Sequence, residues 1–235
     1  MIKRKRLGQH FLNSQSIAEF IVSSAEISST GTVLEIGIGQ GVLTRLLIPV
    51  SQKLICIESD FDLVDDAREN FSFADNLELI HGDGFKEKRD FEIFVSNLPY
   101  SRSRDAIEWL SEQDFSHGVI MVQKEFFEKL MESSGKERRA VSVIANYCME
   151  INQIKKVGKE NFTPPPKVDS VILKIRKIKN LDLQTIQTIN KIFSFRRKTV
   201  KNILNQFGKN SDDSRRIDDL KGEEIVGLAK QIIQK

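Results

Sequence analysis

The stretch that decides the fold is Thr32-Val33-Leu34-Glu35-Ile36-Gly37-Ile38-Gly39-Gln40-Gly41. Its first half is a short β-rich run, and its second half is a loop with three glycines. The next residues, Val42–Leu47, are apolar enough to begin a helix. A strand that passes through a glycine loop into a helix is typical of the first βα turn of a nucleotide-binding sheet. We therefore predict that this loop holds a nucleoside cofactor.

Strands and helices alternate on both sides of this loop. Apolar and β-branched runs predict further strands at 53–58, 77–80, 91–96, 118–122 and, later, 168–175. Helical spacing of apolar residues is present at 16–25 and 61–70. This alternation predicts an α/β fold with a doubly wound, mainly parallel sheet. Ligands of such sheets bind at the carboxyl ends of the strands, where the glycine loop also lies.

The glycine loop reads GxGxG, and Val42 stands where a dinucleotide-binding loop has its third glycine. This pattern indicates S-adenosylmethionine, which has no pyrophosphate to hold, and nicotinamide binding is the alternative. Gly37 and Gly39 lack a Cβ and let the backbone approach the cofactor closely. Glu58 ends the next strand, where a carboxylate accepts from ribose hydroxyls. Asp83 follows the third strand and is placed to accept from the cofactor's adenine amino group.

The fourth predicted strand is followed directly by Asn97-Leu98-Pro99-Tyr100. An adenine N6 amino group is a poor nucleophile because its lone pair is delocalised into the ring. Two acceptors, the Asn97 side-chain oxygen and the Leu98 carbonyl, would favour a pyramidal nitrogen with a free lone pair. Pro99 restricts Leu98 to extended conformations, and Tyr100 offers a face on which the base stacks. The segment therefore predicts methyl transfer to adenine by positioning and electrostatics.

The sequence changes character near residue 179. Phe162-Thr163-Pro164-Pro165-Pro166-Lys167 is predicted to be an irregular loop, because successive prolines enter neither a helix nor a central strand. Helical spacing returns over 186–193 and 215–235. We predict a cofactor-binding catalytic domain over residues 1–179 and a small helical C-terminal domain over residues 180–235. The tail is short, so we expect it to dock on earlier parts of the chain.

Composition limits the other classes of function. The chain has 235 residues, of which 40% are hydrophobic, and a formal net charge of only +3. Cys56 and Cys148 lie in apolar runs and are predicted to be core thiols of a reducing compartment. Neither has a CxxC partner and the three histidines are scattered, so no metal site is predicted. We expect a cytoplasmic monomer without a signal peptide or a membrane segment.

Several segments together resemble one known family over nearly the whole chain. They are Gly8-Gln9-His10-Phe11-Leu12, Val33-Leu34-Glu35-Ile36-Gly37, Gly41-Val42-Leu43-Thr44, Val122-Gln123-Lys124-Glu125, Phe162-Thr163-Pro164-Pro165-Pro166-Lys167-Val168-Asp169-Ser170 and Phe195-Arg196-Arg197-Lys198-Thr199. In this combination the chain resembles the small-subunit rRNA adenine-N6,N6-dimethyltransferases of the kasugamycin-sensitivity type. The resemblance implies the fold of class I S-adenosylmethionine-dependent methyltransferases. It also implies dimethylation of two adjacent adenines near the 3′ end of small-subunit rRNA, in an immature subunit.

The resemblance also implies roles for individual residues. The cofactor site is expected to contain Gln9, His10, Leu12, Gly37, Gly39, Glu58, Asp83 and Asn97. Phe162 is expected to stack on the target adenine opposite Tyr100, as part of a catalytic set with Asn97, Leu98 and Pro99. The chain departs from the family's usual pattern after Tyr100, where it continues as Ser101-Arg102-Ser103-Arg104-Asp105. This departure adds charge beside the expected pocket.

Basic residues suggest where RNA is bound. Arg102 and Arg104 flank the Asn-Leu-Pro-Tyr segment, and Arg196, Arg197 and Lys198 lie in a stretch where aromatic and basic residues alternate. Such clusters suit phosphate contacts. For the aromatic and basic stretch, structural docking is an alternative to RNA binding. A solvated helix face, the usual role of a charge run, is a third interpretation. For the N-terminal run at 3–6, phosphate contact and solvation both remain open.

Two other functions compete with the first. One is an erythromycin-resistance-type methyltransferase that acts on large-subunit rRNA. Two segments argue against it, Pro165-Pro166-Lys167-Val168-Asp169-Ser170 and Arg196-Arg197-Lys198-Thr199. The other is a non-catalytic ribosome-assembly or transcription factor of the same fold, against which the intact Asn97-Leu98-Pro99-Tyr100 argues.

Overall fold

The computed structural model describes residues 10–234. The predictions for Gln9 and for the basic run at 3–6 therefore lie outside the described residues. The chain divides into two compact units. The sheet unit comprises residues 10–106, 114–124 and 151–177, and the helical unit comprises residues 107–113, 125–150 and 178–234.

The sheet unit is built on one large, mainly parallel sheet. Its strands are β2 (Thr32–Ile36), β3 (Lys53–Glu58), β4 (Leu77–His81), β5 (Ile93–Asn97), β6 (His117–Gln123), β7 (Met149–Val157) and β9 (Ser170–Lys177), in the spatial order β4-β3-β2-β5-β6-β9-β7. The five strands from β4 to β6 are parallel, and β9 runs antiparallel to β6. A small second sheet pairs β1 (Phe11–Leu12) with β8 (Phe162–Thr163). The predicted α/β fold with a doubly wound sheet is confirmed.

Helices of the sheet unit cover this sheet. They are α1 (Gln15–Ser24), α2 (Val42–Leu47) and α3 (Phe61–Asn70), and α4 (Ser103–Glu112) begins in this unit. Each buries a narrow apolar stripe: α1 buries Ile17, Ala18 and Ile21, which join the main core. Asp60 caps α3, since its side chain accepts from the Asp62 N–H at 3.0 Å. The buried stripe and the cap explain why the predicted bounds of α3 were met.

The helical unit has its own apolar interior. Its helices are α5 (Lys124–Met131), α6 (Ala140–Cys148), α7 (Leu183–Ser194), α8 (Val200–Gln206) and α9 (Gly222–Ile233). Asp182 caps α7 by accepting from the Thr185 N–H at 2.7 Å. Helices α6, α7 and α9 bury apolar faces on one another. Both cysteines are buried thiols, as predicted.

The division of the chain differs from the predicted boundary at residue 179. The chain passes from the sheet unit to the helical unit for the last time between residues 177 and 178, next to that boundary. However, the helical unit also includes residues 107–113 and 125–150, which the sequence placed in the first domain. The physical reason is burial: the C-terminal tail is too short for a core, and α6 supplies the apolar surface on which α7 and α9 pack.

The strand order places a ligand site at one edge of the sheet. From β2 the chain proceeds outward through β3 and β4 and then returns to the other side of β2 as β5. This reversal opens a crevice between the carboxyl ends of β2 and β5. In residues 10–234 we find no helix with the length and apolarity needed to cross a membrane.

Candidate active site

A cavity of about 240 Å³ lies at the carboxyl ends of β2, β3, β4 and β5. It collects most of the predicted site residues. These are His10, Leu12, Gly37, Gly39, Glu58, Asp83, Asn97, Leu98, Pro99, Tyr100 and Arg102. All of them belong to the sheet unit.

The glycine loop after β2 forms one wall of the cavity with its backbone. Gly37, Gly39 and Gly41 have φ values of 85°, 57° and 73°, a region that disfavours residues with a Cβ. The Gly37 N–H donates to the Ile57 carbonyl at 2.8 Å, which ties the loop to the end of β3. A Cβ on Gly41 would lie 2.6 Å from the ring of Phe71. Conformation therefore favours glycine at all three positions, and space requires it at Gly41.

Glu58 is held in one orientation at the end of β3. Its Oε1 accepts from the N–H groups of Ser59 and Asp60 at 2.7 and 2.9 Å. Its Oε2 accepts from the Gly39 N–H at 3.3 Å. Because Oε1 already has two backbone donors, Oε2 is the oxygen with acceptor capacity left for a ligand. That Glu58 accepts from ribose hydroxyls stays a prediction. The geometry indicates that Oε2 would be the accepting oxygen.

Glu35 lies beneath the glycine loop and is buried. Its Oε2 accepts from the Thr44 hydroxyl at 2.7 Å and from the Cys56 thiol at 3.3 Å. Burial raises the pKa of Glu35 to about 8, against a contrary effect of these hydrogen bonds. Burial also raises the pKa of the Cys56 thiol. Glu35 is therefore protonated at neutral pH and adds no negative charge to the cavity.

The raised pKa of Glu35 makes stability depend on pH. The folded chain binds a proton that the unfolded chain releases above its ordinary pKa of 4.5. The resulting stability is fully present below that pKa and is lost as pH rises through about 8. At about pH 8.5 we expect Glu35→Gln to unfold at a higher urea concentration than the unsubstituted chain. At about pH 4.5 we expect the two chains to be similarly stable. The gain in free energy of unfolding from the substitution is expected to be larger at pH 8.5 than at pH 4.5 by up to about 5 kcal/mol. If Glu35→Gln raised the free energy of unfolding by the same amount at both pH values, the raised pKa of Glu35 would be contradicted.

The turn that follows β5 is fixed from several sides. The Ser96 hydroxyl donates to the Ile36 carbonyl at 2.6 Å, which joins the ends of β5 and β2. The Leu98 N–H donates to the Met121 carbonyl at 3.2 Å, and the Leu98 side chain is buried. Pro99 has φ −55° and ψ 129°, and a short 3₁₀ turn, Tyr100–Arg102, follows it. Asn97 therefore lies at the cavity on a backbone with little freedom.

The rings of Tyr100, in this turn, and His10 are stacked on each other and line the cavity. Their ring centroids are 5.4 Å apart with an interplanar angle of 30°. The Tyr100 hydroxyl shares a hydrogen bond of 2.7 Å with the Ser170 hydroxyl. Burial raises the pKa of the Tyr100 phenol above its ordinary value. His10 Nδ1 donates to the Pro164 carbonyl at 2.7 Å. The imidazole thus covers one face of Tyr100.

Phe162 departs from its predicted position. Its side chain is only 2% exposed, and it packs in the core cluster that includes Leu12, its pairing partner across β1 and β8. Within the described residues it does not line the cavity. The stacking of Phe162 on the target adenine stays a prediction, and in this structure the ring packs in the core instead.

The buried position of Phe162 has a measurable consequence. We expect Phe162→Ala to lower the free energy of unfolding by about 3–5 kcal/mol, the usual cost of removing a buried aromatic ring. Urea denaturation measures it, with Phe73→Ala as the control, since Phe73 is 70% exposed and its removal is expected to cost less than about 0.5 kcal/mol. A variant of normal stability with a raised KM for RNA would restore the base-stacking role.

Arg102 is also placed differently from its prediction as an RNA contact. Its Nη2 donates to both oxygens of Asp83, at 3.1 and 3.3 Å, and its Nε donates to Asp105 at 2.8 Å. Its guanidinium carbon lies 4.9 Å from the centroid of the Phe85 ring. Arg102 is therefore part of the cavity wall. Sequence reasoning missed Phe85, although an aromatic residue two positions after Asp83 was a usable signal.

The other predicted RNA contacts lie outside the cavity. Arg196 forms an ion pair with Asp218 at 2.7 Å, and both residues belong to the helical unit. Arg197 and Lys198 are exposed, and Lys198 Nζ lies 5.0 Å from the Phe195 ring centroid. Arg104 is exposed on α4. Arg104, Arg197 and Lys198 remain predictions as phosphate contacts.

The cavity fits S-adenosylmethionine by the chemistry of its lining. The glycine loop offers open backbone, because a Cβ on Gly37 would meet only Pro99, at 3.8 Å. Glu58 Oε2 offers an acceptor for a ribose hydroxyl, and Asp83 offers a second carboxylate across the cavity. Leu12 and Ile38 add apolar surface. These groups match a nucleoside with an amino-acid side arm.

Comparison with known proteins agrees with this geometry. The model of the family described as ribosomal RNA adenine dimethylase matches residues 2–229. The chain is 36% identical over 233 residues to ribosomal RNA small subunit methyltransferase A of Thermotoga maritima, covering 96% of this chain and 84% of that protein. The same-named protein of Clostridium botulinum (strain Okra / Type B1) is 35% identical over 216 residues, covering 85% of this chain and 78% of that protein.

Two solved structures share the fold. A dimethyladenosine transferase from Plasmodium falciparum superposes with a TM-score of 0.78 and 25% identity, covering 95% of this chain and 98% of that chain. The 23S rRNA methyltransferase ErmE superposes with a TM-score of 0.67 and 23% identity, covering 95% of this chain and 100% of that chain, which shows the fold alone. The chain belongs to the ribosomal RNA adenine dimethylase family and is an S-adenosylmethionine-dependent rRNA adenine dimethyltransferase.

Proposed function

We propose that this chain dimethylates N6 of two adjacent adenines near the 3′ end of small-subunit rRNA, acting on an immature small subunit. The observation that carries the proposal is the meeting of Asn97-Leu98-Pro99-Tyr100 with the glycine loop and Glu58 in one cavity. The relatives from Thermotoga maritima and Clostridium botulinum, named small-subunit methyltransferases, support the choice of particle.

The proposed chemistry uses fixed acceptors. In the first transfer, the Asn97 side-chain oxygen and the Leu98 carbonyl accept hydrogen bonds from the two N6 hydrogens of adenine and direct the nitrogen lone pair to the methyl group. In the second transfer, the monomethylated nitrogen has one hydrogen left, which one of the two acceptors binds. Each transfer forms an N–C bond, and the displaced N6 proton leaves to water. The Ser96 and Leu98 hydrogen bonds hold this turn before a substrate arrives, so little reorganisation is needed. When bound, S-adenosylmethionine supplies an electrophilic methyl group on a good sulfonium leaving group. No strong general base is then required of the chain.

Entry of the target base involves Tyr100 and His10. Stacked aromatic rings have centroids about 4.5–7 Å apart, and a base inserted between two rings requires roughly twice one stacking distance. At 5.4 Å the two rings leave no such space. We propose that the adenine, flipped out of its helix, takes the place of the His10 imidazole on Tyr100. The predicted stacking of Phe162 is not used in this step, because its ring is buried and does not line the cavity.

Phosphate contacts are proposed for the exposed cations. Arg104 in the sheet unit and Arg197 and Lys198 in the helical unit are exposed at the surface. Substitution of any one cation that binds a phosphate is expected to make RNA binding less dependent on salt, because fewer counterions are then released. A net charge of only +3 makes naked RNA a weaker partner than a preassembled particle, which offers shape as well as charge.

The proposal is tested by transfer of labelled methyl groups from S-adenosylmethionine to immature small subunits, mature small subunits, large subunits and naked rRNA. The product nucleosides are then separated and the modified positions mapped. We expect N6,N6-dimethyladenosine at two adjacent positions of the immature small subunit. Label confined to the large subunit would indicate the erythromycin-resistance-type reaction. No label on any particle, with the cofactor still bound, would indicate a non-catalytic assembly factor.

A further inference from the structure

Arg102 occupies a position in the cavity that neither RNA binding nor methyl transfer explains. It belongs to the segment that follows the Asn-Leu-Pro-Tyr turn, and its backbone N–H donates to the Pro99 carbonyl at 2.8 Å. Its side chain turns back toward Asp83, at the far side of the cavity. The guanidinium therefore connects the turn that holds the target amino group to the acid that follows β4.

The hydrogen bonds of Asp83 can be counted oxygen by oxygen. Oδ1 accepts from the Phe85 N–H at 3.2 Å and from Arg102 Nη2 at 3.1 Å. Oδ2 accepts from Arg102 Nη2 at 3.3 Å, and Lys86 Nζ lies 3.9 Å from it. A carboxylate oxygen accepts about two hydrogen bonds. Oδ1 is therefore fully used, whereas Oδ2 has the capacity to accept from a ligand.

Arg102 is itself held in place. Nε donates to Asp105 at 2.8 Å, and the guanidinium carbon lies 4.9 Å from the centroid of the Phe85 ring. The side chain is 37% exposed, so its ion pairs contribute little to stability. Three fixed contacts on this partly exposed side chain favour a role in orientation over a role in stability. The planar guanidinium is held by Asp105 through Nε, and this fixes the direction in which Nη2 donates to Asp83.

We propose that Arg102 is a positioning residue that orients Asp83 so that Oδ2 accepts from the 6-amino group of the adenine in S-adenosylmethionine. Arg102 thereby sets the preference of the cofactor site for a 6-aminopurine over a 6-oxopurine, whose oxygen has no hydrogen to donate. This inference rests on the proposed position of the cofactor's adenine at Asp83. It replaces the sequence prediction of Arg102 as an RNA contact.

The test measures binding by calorimetry without RNA. The probes are S-adenosylhomocysteine and S-inosylhomocysteine, which carries a 6-oxo group in place of the 6-amino group. The full chain is compared with Asp83→Asn, Arg102→Met and Arg102→Lys. Arg68→Met serves as the matched control, since Arg68 pairs with Asp65 at 4.0 Å in the same i,i+3 spacing as Arg102 and Asp105 and does not line the cavity.

We expect the unsubstituted chain and Arg68→Met to prefer S-adenosylhomocysteine by about 10-fold or more. In Arg102→Met its Kd is expected to rise about 10-fold while that of S-inosylhomocysteine changes less than about 2-fold, so that the preference collapses. Arg102→Lys keeps the charge without the fork and is expected to lose most of the preference as well. In turnover, KM for the cofactor should rise while kcat and the KM for RNA stay unchanged.

Three results would overturn the inference, and each has its own signature. Equal weakening of both probes in Arg102→Met would indicate a merely structural role. An unchanged Kd with a raised KM for RNA would return Arg102 to phosphate binding. Equal affinity of Asp83→Asn and the unsubstituted chain for S-adenosylhomocysteine would remove Asp83 from the adenine site. None of these readouts involves the choice of ribosomal particle, so a failure of that proposal is recognised separately.

Discussion

Replacement of Asn97 by alanine is expected to lower kcat about 10²–10³-fold, the usual effect of removing one preorganised group that stabilises a transition state. The expectation follows from the position of Asn97 at the carboxyl end of β5, on a turn fixed by Ser96 and Leu98. Its side-chain oxygen is one of the two acceptors proposed for the N6 amino group. The affinity for S-adenosylmethionine is expected to change little, because Glu58 and the glycine loop are untouched.

Single-turnover methyl transfer and calorimetric cofactor binding measure the two effects separately. Asn70→Ala is a suitable control, because Asn70 is an exposed asparagine at the end of α3 and does not line this cavity. We expect its kcat to equal that of the unsubstituted chain. If Asn97→Ala loses cofactor binding in proportion to kcat, the residue holds the cofactor and the proposed role at the amino group is wrong.

Replacement of Arg138 by methionine is expected to lower the free energy of unfolding by about 3–5 kcal/mol. Arg138 is 1% exposed and lies within the helical unit. Its guanidinium donates to the Ser133 and Leu220 carbonyls at 3.1 and 2.7 Å and to the Ile217 carbonyl. Methionine retains most of the volume but no donor, so three carbonyl oxygens lose a partner. Burial also lowers the pKa of the Arg138 guanidinium.

Urea denaturation gives the required comparison with Arg139→Met. Arg139 is the adjacent residue, with a half-exposed side chain 3.7 Å from Glu137, and its replacement is expected to cost less than about 1 kcal/mol. The two variants remove the same charge one residue apart, so any difference reports burial and hydrogen bonding. If Arg138→Met and Arg139→Met lowered the free energy of unfolding by the same amount, the structural role of Arg138 would be contradicted.

The sequence predicted the sheet well where its signals were local. Strands β2 and β3 and helix α3 have the predicted bounds, because apolar runs, turns and the Asp60 cap act over a few residues. Helix α6 escaped prediction, since almost all of its residues are buried and no polar stripe reveals a helical period. Strand β7 also escaped prediction, since buried and exposed residues alternate only over residues 149–152 and the rest of the strand has no period of two.

The site was predicted as a set of strand ends, and its residues do meet in one cavity. What the sequence does not contain is the partner of each charged or aromatic side chain. The sequence does not reveal that Arg102 contacts Asp83 or that Arg196 pairs with Asp218. It also does not reveal that Phe162 is buried where its strand pairs with Leu12, far away in the sequence. Such long-range pairs are fixed by the fold as a whole.

The central claim is that this one cavity brings the methyl donor to the Asn97-Leu98 acceptors. A crystal structure of the chain with S-adenosylhomocysteine tests it most directly. We expect the ribose on Glu58 Oε2, the adenine amino group at Asp83 and the sulfur facing Asn97, with the His10 and Tyr100 rings beyond it. A ligand bound elsewhere, or bound here with its sulfur turned away from Asn97, would contradict the account.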